Sequence, residues 1–396
     1  MKKNNLFLLF LMALIVMSCS KDETSMSIPQ ESNAIEFGTY VGRDAQTRAG
    51  VNNLTKLQGT GFGIWGYYTN GNNWSADNTP NFMWNQKVEW NATATPNAWT
   101  YTPVKYWPTT KEDKLTFFAY APYDDQDNTT TADNYGIVPS ANNIAGTPTI
   151  TFTIKNDAAN MVDLVTANAM NKTSSASPAA VDFTFKHVLS RVDFQALALD
   201  ETLPGNLATE TIINIKSVKL ENSGEFYGSG KYTLTTETPA VTGVWSAPYT
   251  VATAPLDISH ATSGIFKGVA ASHGAKPASL YTDKGVQIAS STDAKSLFTE
   301  NQYLFLIPKE EGLTADALKV TFTYDIVTAD ANLDLGYSKT SATKTVALPE
   351  GGLLTGKAYK YTFKFGVDRV VVGAVTVSGW DAADDEEVTI DYTDLL

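Results

Sequence analysis

The sequence predicts an all-β protein built from β-sandwiches. Three observations carry that expectation. From about residue 35 onward, apolar residues alternate with polar ones or fall in short runs, the period of strands rather than helices. Turn-forming residues break those runs at roughly ten-residue intervals, the rhythm of a sandwich. Helical periodicity is scarce, with a turn or two expected at 293–298 and one at 314–318. Composition agrees: charged residues are 18% of the 396, below the ~25% of an average soluble domain. Thr, Ser, Asn and Tyr take their place.

Taken in order, the clearest strands are Phe62-Gly63-Ile64-Trp65-Gly66-Tyr67, Leu115-Thr116-Phe117-Phe118-Ala119-Tyr120, Ile150-Thr151-Phe152-Thr153-Ile154 and Val320-Thr321-Phe322-Thr323-Tyr324. Asn70-Gly71 follows the first as a tight-turn pair. Near the end, Tyr359, Tyr361, Phe363 and Phe365 share one face, with Lys360, Thr362 and Lys364 on the other. The polar stretch 171–180 marks a boundary between a half holding Trp65, Trp74, Trp84, Trp90, Trp99 and Trp107 and a half holding Trp245 and Trp380. The strand-like segment 181–199 opens the second half, and its first part is assignable to either.

The N-terminus carries an export signal. Lys2 and Lys3 precede a continuous apolar run, residues 6–17, which is short for a membrane span and suits a signal core. The run ends at Val16-Met17-Ser18-Cys19, which resembles a bacterial lipobox, and Cys19 is the chain's single cysteine. Ser20-Lys21-Asp22-Glu23 resembles the charged surface-export signal of lipoproteins. Membrane attachment is then by lipid on Cys19.

Catalytic chemistry is hard to find. His187 lies on a strand-like segment with no acid or nucleophile at a recognisable spacing, and reads as a structural histidine. His260 and His273 show no ligand spacing. Gly59-Thr60-Gly61-Phe62-Gly63 lacks the following helix that a phosphate loop needs, and reads as a glycine-rich strand. Asp124-Asp125-Gln126-Asp127-Asn128 lacks the glycine and distal glutamate of a calcium loop, and reads as solvated, as does Asp384-Asp385-Glu386-Glu387. The Trp-rich half reads as core, with Trp74 and Trp99 as exposed loop platforms for a sugar. The net charge of −13 argues against nucleic acid. One cysteine and three histidines exclude a disulfide scaffold and leave little for a zinc site. No enzyme, cofactor or metal is expected.

The lipobox, Ile35-Glu36-Phe37 leading to Thr47-Arg48-Ala49, Tyr106-Trp107-Pro108, Leu115-Thr116-Phe117-Phe118-Ala119-Tyr120-Ala121-Pro122, Asp163-Leu164-Val165, Phe185-Lys186-His187-Val188-Leu189-Ser190-Arg191-Val192 and Val375-Thr376-Val377-Ser378-Gly379-Trp380 together resemble the fimbrillin family of Bacteroidales type V pili. The resemblance spans nearly the whole chain. It implies two transthyretin-like β-sandwich domains in tandem, export as a lipoprotein to the outer membrane, maturation by an Arg-specific protease, and polymerisation with other fimbrial subunits into surface fimbriae that support adhesion. The division expected is a signal peptide 1–18, a propeptide 19–48, an N-terminal domain 49–180 and a C-terminal domain 181–396. The alternative reading is a lipid-anchored or pilus-tip adhesin that binds a glycan or a protein on a host or bacterial surface.

Two further expectations come from the residues. Residues 42–51 are polar and glycine-flanked, as cleavage sites tend to be, which places the cut between Arg48 and Ala49, with Arg43 as the alternative. Ile35, Phe37, Thr39 and Val41 alternate with Glu36, Gly38 and Tyr40, so this segment can lie against a core and its removal would open a groove. Val388, Ile390 and Tyr392 within 388–396 present a second apolar face, and form either a donor strand for that groove or an edge strand of their own domain.

Cys19→Ala is expected to incorporate no labelled fatty acid and to leave the precursor unprocessed or mislocalised. Normal surface display of that variant would remove the lipoprotein reading.

Overall fold

The structure is a computed structural model that describes residues 33–41, 54–125, 134–174, 180–221, 227–237, 242–251, 255–269, 283–314, 318–380 and 387–392. Cys19, Arg43, Arg48, Ala49, Asp127, Asn128, His273 and residues 315–317, 384–386 and 393–396 lie outside them. Among the described residues, helix is confined to α1 (Leu54–Thr60) and two three-residue 3-10 turns. The rest of the regular structure is β, as the alternation predicts.

The chain begins with β1 (Phe37–Val41), β2 (Phe62–Tyr68), β3 (Met83–Asn91), β4 (Ala98–Thr100), β5 (Lys114–Ala121), β6 (Ile137–Pro139), β7 (Thr149–Thr153), β8 (Val165–Thr173) and β9 (Val181–His187). Seven of these form one sheet in the order β1-β9-β8-β5-β2-β3-β4. Only the β1–β9 pair in it is parallel. Then follow β10 (Ser190–Ala198), β11 (Thr211–Leu220), β12 (Tyr227–Thr233) and β13 (Val244–Val251). The order β13-β12-β7-β6 makes a four-stranded sheet.

The remaining strands are β14 (Leu256–Asp257), β15 (Val286–Ile288), β16 (Lys295–Ser296), β17 (Leu304–Leu306), β18 (Lys309–Leu313), β19 (Lys319–Ala329), β20 (Tyr337–Ala347), β21 (Gly351–Leu353), β22 (Lys357–Phe365), β23 (Val370–Gly379) and β24 (Val388–Asp391). One sheet runs β16-β10-β22-β23-β24, and another runs β14-β11-β19-β20. Phe322 of β19 meets Phe363 and Phe365 of β22 at 4.7 and 5.2 Å between ring centroids, so the two sheets pack face to face. The exposed faces of β19 and β20 are tied by hydroxyl pairs, Thr321 with Thr345 and Thr323 with Thr343.

β2 and β5 explain why continuous apolar runs accompany alternating ones. Phe62, Ile64, Phe117 and Ala119 point into one apolar cluster, with Leu57, Phe183 and Phe185. Trp65, Tyr67, Phe118 and Tyr120 point the other way, against Ile150, Phe152 and Tyr232 of the four-stranded sheet. A strand buried on both faces has no polar side to show. Thr69-Asn70-Gly71-Asn72 closes the expected tight turn: Asn70 and Gly71 both have positive φ and Asn72 N–H donates to the Thr69 carbonyl at 3.1 Å.

Four sequence readings need correction. Residues 293–298 are extended rather than helical, because Leu297 and Phe298 are both buried and Leu297 N–H bonds the Phe194 carbonyl. Gly59 and Thr60 end α1 instead of starting a strand. Gly61, at φ +67, stops that helix, and a side chain there would meet the Val88 carbonyl. Residues 171–173 continue β8 rather than starting a linker. Asp124 is not solvated: it is buried, and its Oδ2 accepts from the N–H groups of Tyr135 and Ile137 at 2.9 and 3.0 Å.

Asp124→Ala is expected to lower stability by about 2–4 kcal/mol, since two buried N–H groups lose a charged acceptor. Added calcium is expected to leave the melting temperature of the wild type unchanged; a rise would restore the calcium reading.

Candidate functional site: the N-terminal strand and its groove

Ile35, Phe37 and Val41 are 1, 5 and 7% exposed, while Glu36 and Tyr40 face solvent. The alternation read from the sequence is therefore the alternation of burial. β1 lies at the edge of the seven-stranded sheet, its residues paired in register with β9 from Phe37 opposite Val181 to Val41 opposite Phe185. The Phe37 ring sits in an aromatic cage, with Tyr101, Phe117, Phe183 and Phe62 at 5.3, 5.6, 5.7 and 6.4 Å between centroids. Three of these approaches are tilted or edge-on and the Phe183 contact is stacked, the geometries that favour ring pairs.

Polar contacts fix the segment along its length. Ile35 N–H donates to the Lys105 carbonyl at 2.9 Å, and the Ile35 carbonyl accepts from Tyr101 Oη at 2.9 Å. Val181 N–H donates to the Glu36 carbonyl at 2.7 Å. Burial pushes the Tyr101 phenol above its ordinary value, so it stays a donor. Most telling is Trp99 of β4, whose Nε1–H donates to Thr39 Oγ1 at 3.0 Å. β1 and β4 are opposite edges of one sheet. The sheet therefore curls until its edges meet, and the polar member of the inward row is the side chain that joins them.

The C-terminal segment contrasts with this. β24 pairs antiparallel with β23, Val388 opposite Val377 and Ile390 opposite Val375. Yet Val388 and Ile390 are 52 and 46% exposed, and all four β24 residues face solvent. Tyr392 alone leans on the core, its N–H donating to the Gly373 carbonyl at 2.7 Å.

Trp74 and Trp99 are not the exposed platforms expected of them. Trp99 is buried between Phe62 and Trp90, and Trp74 packs edge-on against Tyr67 and Phe118. Trp84 is the exposed one, its Nε1 donating to the Ser140 carbonyl. His187 is buried, and its acid partner lies 24 residues away. Its Nδ1 is 2.7 Å from Asp163 Oδ2, both groups are buried, and its ring stacks on Trp380 at 4.2 Å. Phe305 stacks on Trp380 at 5.7 Å, and the Arg191 guanidinium lies over it at 5.3 Å. His260 is a turn cap, its Nδ1 accepting from Ser263 N–H at 3.2 Å. Sequence reasoning missed Tyr101, Asp163 and the role of Trp99, because each meets its partner across a long stretch of chain. Among the described residues no group of acidic, histidine or cysteine side chains is arranged to hold a metal.

The fold and site thus define an all-β protein whose N-terminal segment completes a core that the rest of the chain leaves open. The chain belongs to the fimbrillin-like family, whose match covers residues 47–380. Fimbrium subunit Fim1C of Phocaeicola vulgatus is 29% identical over 97% of this chain and 98% of its own. The crystal structure of a fimbrial protein from Bacteroides vulgatus ATCC 8482 superposes with a TM-score of 0.69 at 26% identity, covering 88% of this chain and 99% of that one.

Thr39→Val keeps the shape of the side chain and removes the acceptor for Trp99. It is expected to destabilise the full chain by about 1–3 kcal/mol in denaturant unfolding followed by tryptophan fluorescence. Phe37→Ala is expected to cost about 3–5 kcal/mol. A change below 0.5 kcal/mol in both would show that β1 is not part of the folded core.

Proposed function

We propose that this chain is a structural subunit of a cell-surface fimbrium, with a role in adhesion, and that it assembles by exchange of β1 for a strand of another subunit. The single observation that carries the exchange is the burial of Ile35, Phe37 and Val41 in a groove, only seven residues before Arg48. Family membership and the fimbrial relatives support the coarser role. In the finer reading, Cys19 carries a lipid that holds the precursor at the outer membrane, and an Arg-specific protease cuts between Arg48 and Ala49. The chain is then organised as two transthyretin-like sandwiches, with β9 completing the first and β10 opening the second. Contact with a host or bacterial surface ligand belongs to the assembled fibre.

The cut matters through concentration. While β1 is part of the chain, its local concentration is of millimolar order and a competing strand cannot displace it. After cleavage, residues 19–48 are a separate peptide that dissociates by mass action. The vacated groove exposes Phe62, Phe117 and Phe183 beside the unpaired edge of β9, a site for strand addition. No step in this sequence calls for a catalytic residue in the subunit itself.

Purified precursor treated with an arginine-specific protease is expected to begin at Ala49 and to form a ladder of polymers. Arg48→Ala should remain monomeric. Fibres that retain residues 19–48, or equal polymerisation of Arg48→Ala, would overturn the reading.

A further inference from the structure

We infer that the first sheet carries a binding site for a neutral glycan, built on Trp90, in a hollow between the end of α1 and the overhanging end of β3. The inference rests on the adhesive role proposed above and gives it a ligand class and a place. It does not depend on strand exchange, because no residue of β1 or β24 lines the hollow.

The hollow follows from the strand register. β2 pairs with β3 only as far as Phe62 opposite Val88. β3 runs on to Asn91, and its last residues pair with β4 alone, Glu89 opposite Thr100 and Trp90 opposite Trp99. The flank that β2 leaves open is lined across the hollow by Gln58, Gly59 and Thr60 of α1. Gly61 makes the step between them. At φ +67 it ends the helix, and a Cβ there would meet the Val88 carbonyl at 2.6 Å. The space that remains is about 490 Å³, within the ~300–1,000 Å³ of small-ligand sites.

The lining matches the chemistry of a pyranose, whose C–H face is apolar and whose rim is hydroxyl. Trp90 is half-buried and braced edge-on by Trp99 at 5.2 Å between centroids. It therefore offers a rigid apolar face at little cost in side-chain entropy. The polar groups beside it are not used up by the fold. Gln58 is half-buried, and its amide has no partner among the described residues. Asn91 Oδ1 accepts from Thr93 N–H, Thr93 Oγ1 and Ala94 N–H at 3.0, 2.8 and 3.1 Å. Those bonds fix the amide and leave its NH2 as a preset donor for a sugar hydroxyl. Charge decides the class of sugar. Lys87 Nζ pairs with Glu89 Oε1 at 2.9 Å, and among the described residues no other ionisable side chain lines the hollow. An acidic glycan would find the one cation already paired, on a chain of net charge −13. Trp99, which the sequence offered as a sugar platform, is instead the support of its neighbour across the ladder.

The test uses the uncut full chain carrying Cys19→Ser, so that neither lipid nor polymer is present. Its eight tryptophans are replaced by fluorotryptophan and followed by fluorine NMR, with Trp90→Phe assigning the resonance. The neutral probes are maltotriose, mannotriose and N-acetyllactosamine, and trigalacturonate is the acidic one. At least one neutral probe is expected to move the Trp90 resonance with a Kd of about 0.1–1 mM. Gln58→Ala removes no bond of the fold and is expected to weaken that binding about three-fold or more. Trp90→Ala is expected to weaken it about ten-fold or more, while Trp90→Phe keeps an aromatic face and stays within about three-fold. Unchanged circular dichroism and melting check that each variant folds. No shift with any neutral probe at about 10 mM, or a preference for trigalacturonate, would overturn the inference. Binding that Trp90→Ala and Gln58→Ala leave unchanged would overturn the site and put glycan recognition elsewhere on the chain. Failure of the adhesive role reads out separately: assembled wild-type fibres would not hold to a surface coated with the sugar that the single chain binds.

Discussion

A sheet with two edges needs something to join them, and here the Trp99–Thr39 hydrogen bond does so together with the bonds of Tyr101 and Lys105 to Ile35. Everything around the first core depends on that closure. β1 carries the apolar row that fills the space, and β4 carries the indole that holds β1 in place. Neither edge is buried by a layer of helices, so the sheet protects its core by curling on itself. The aromatic cage around Phe37 supplies shape, and the main-chain contacts of Ile35 and Glu36 supply position. A closing strand that buries three apolar side chains at about 1.5–3 kcal/mol each against about 1–2 kcal/mol of ordering per residue is held with little to spare.

The two ends of the described chain are opposites. β1 presents its apolar row, Phe37 and Val41, inward and is bound on one flank by a parallel ladder. β24 has a ladder and exposed side chains. A segment that is paired but not buried keeps an extended shape without committing its apolar face. β24 contributes no buried side chain to the core that β10, β11, β19, β22 and β23 line.

Much of this was legible in the sequence, and for a physical reason. Alternation at period two follows directly from which side of a strand meets the core, so Ile35, Phe37 and Val41 stood out before any coordinates. The pairs that organise the site were not legible. Asp163 and His187 are 24 residues apart, Thr39 and Trp99 sixty, and His187 and Trp380 meet from opposite halves of the chain. Periodicity reports a residue's face and says nothing of its neighbour across a gap. The six tryptophans of the first half showed the same limit, since composition cannot separate a packed indole such as Trp99 from an exposed one such as Trp84. Local chemistry also misled where backbone groups were the partner. Asp124 looked like part of a solvated acidic loop because its function, accepting from Tyr135 and Ile137, depends on where a later strand returns.

The stacked group at Trp380 has a mechanical consequence. Trp380 closes the last long strand, immediately before the acidic run that leads to the tail. A pull on the chain beyond β23 enters the fold at this indole. There it meets His187, Phe305 and Arg191 at once, from three different strands or loops, so tension spreads over the seam instead of peeling β23 from its edge. At the other end of the described chain β1 lies parallel to β9, so a pull along β1 loads that ladder in shear. Pulling in that direction strains the whole ladder together, whereas unzipping breaks one hydrogen bond at a time.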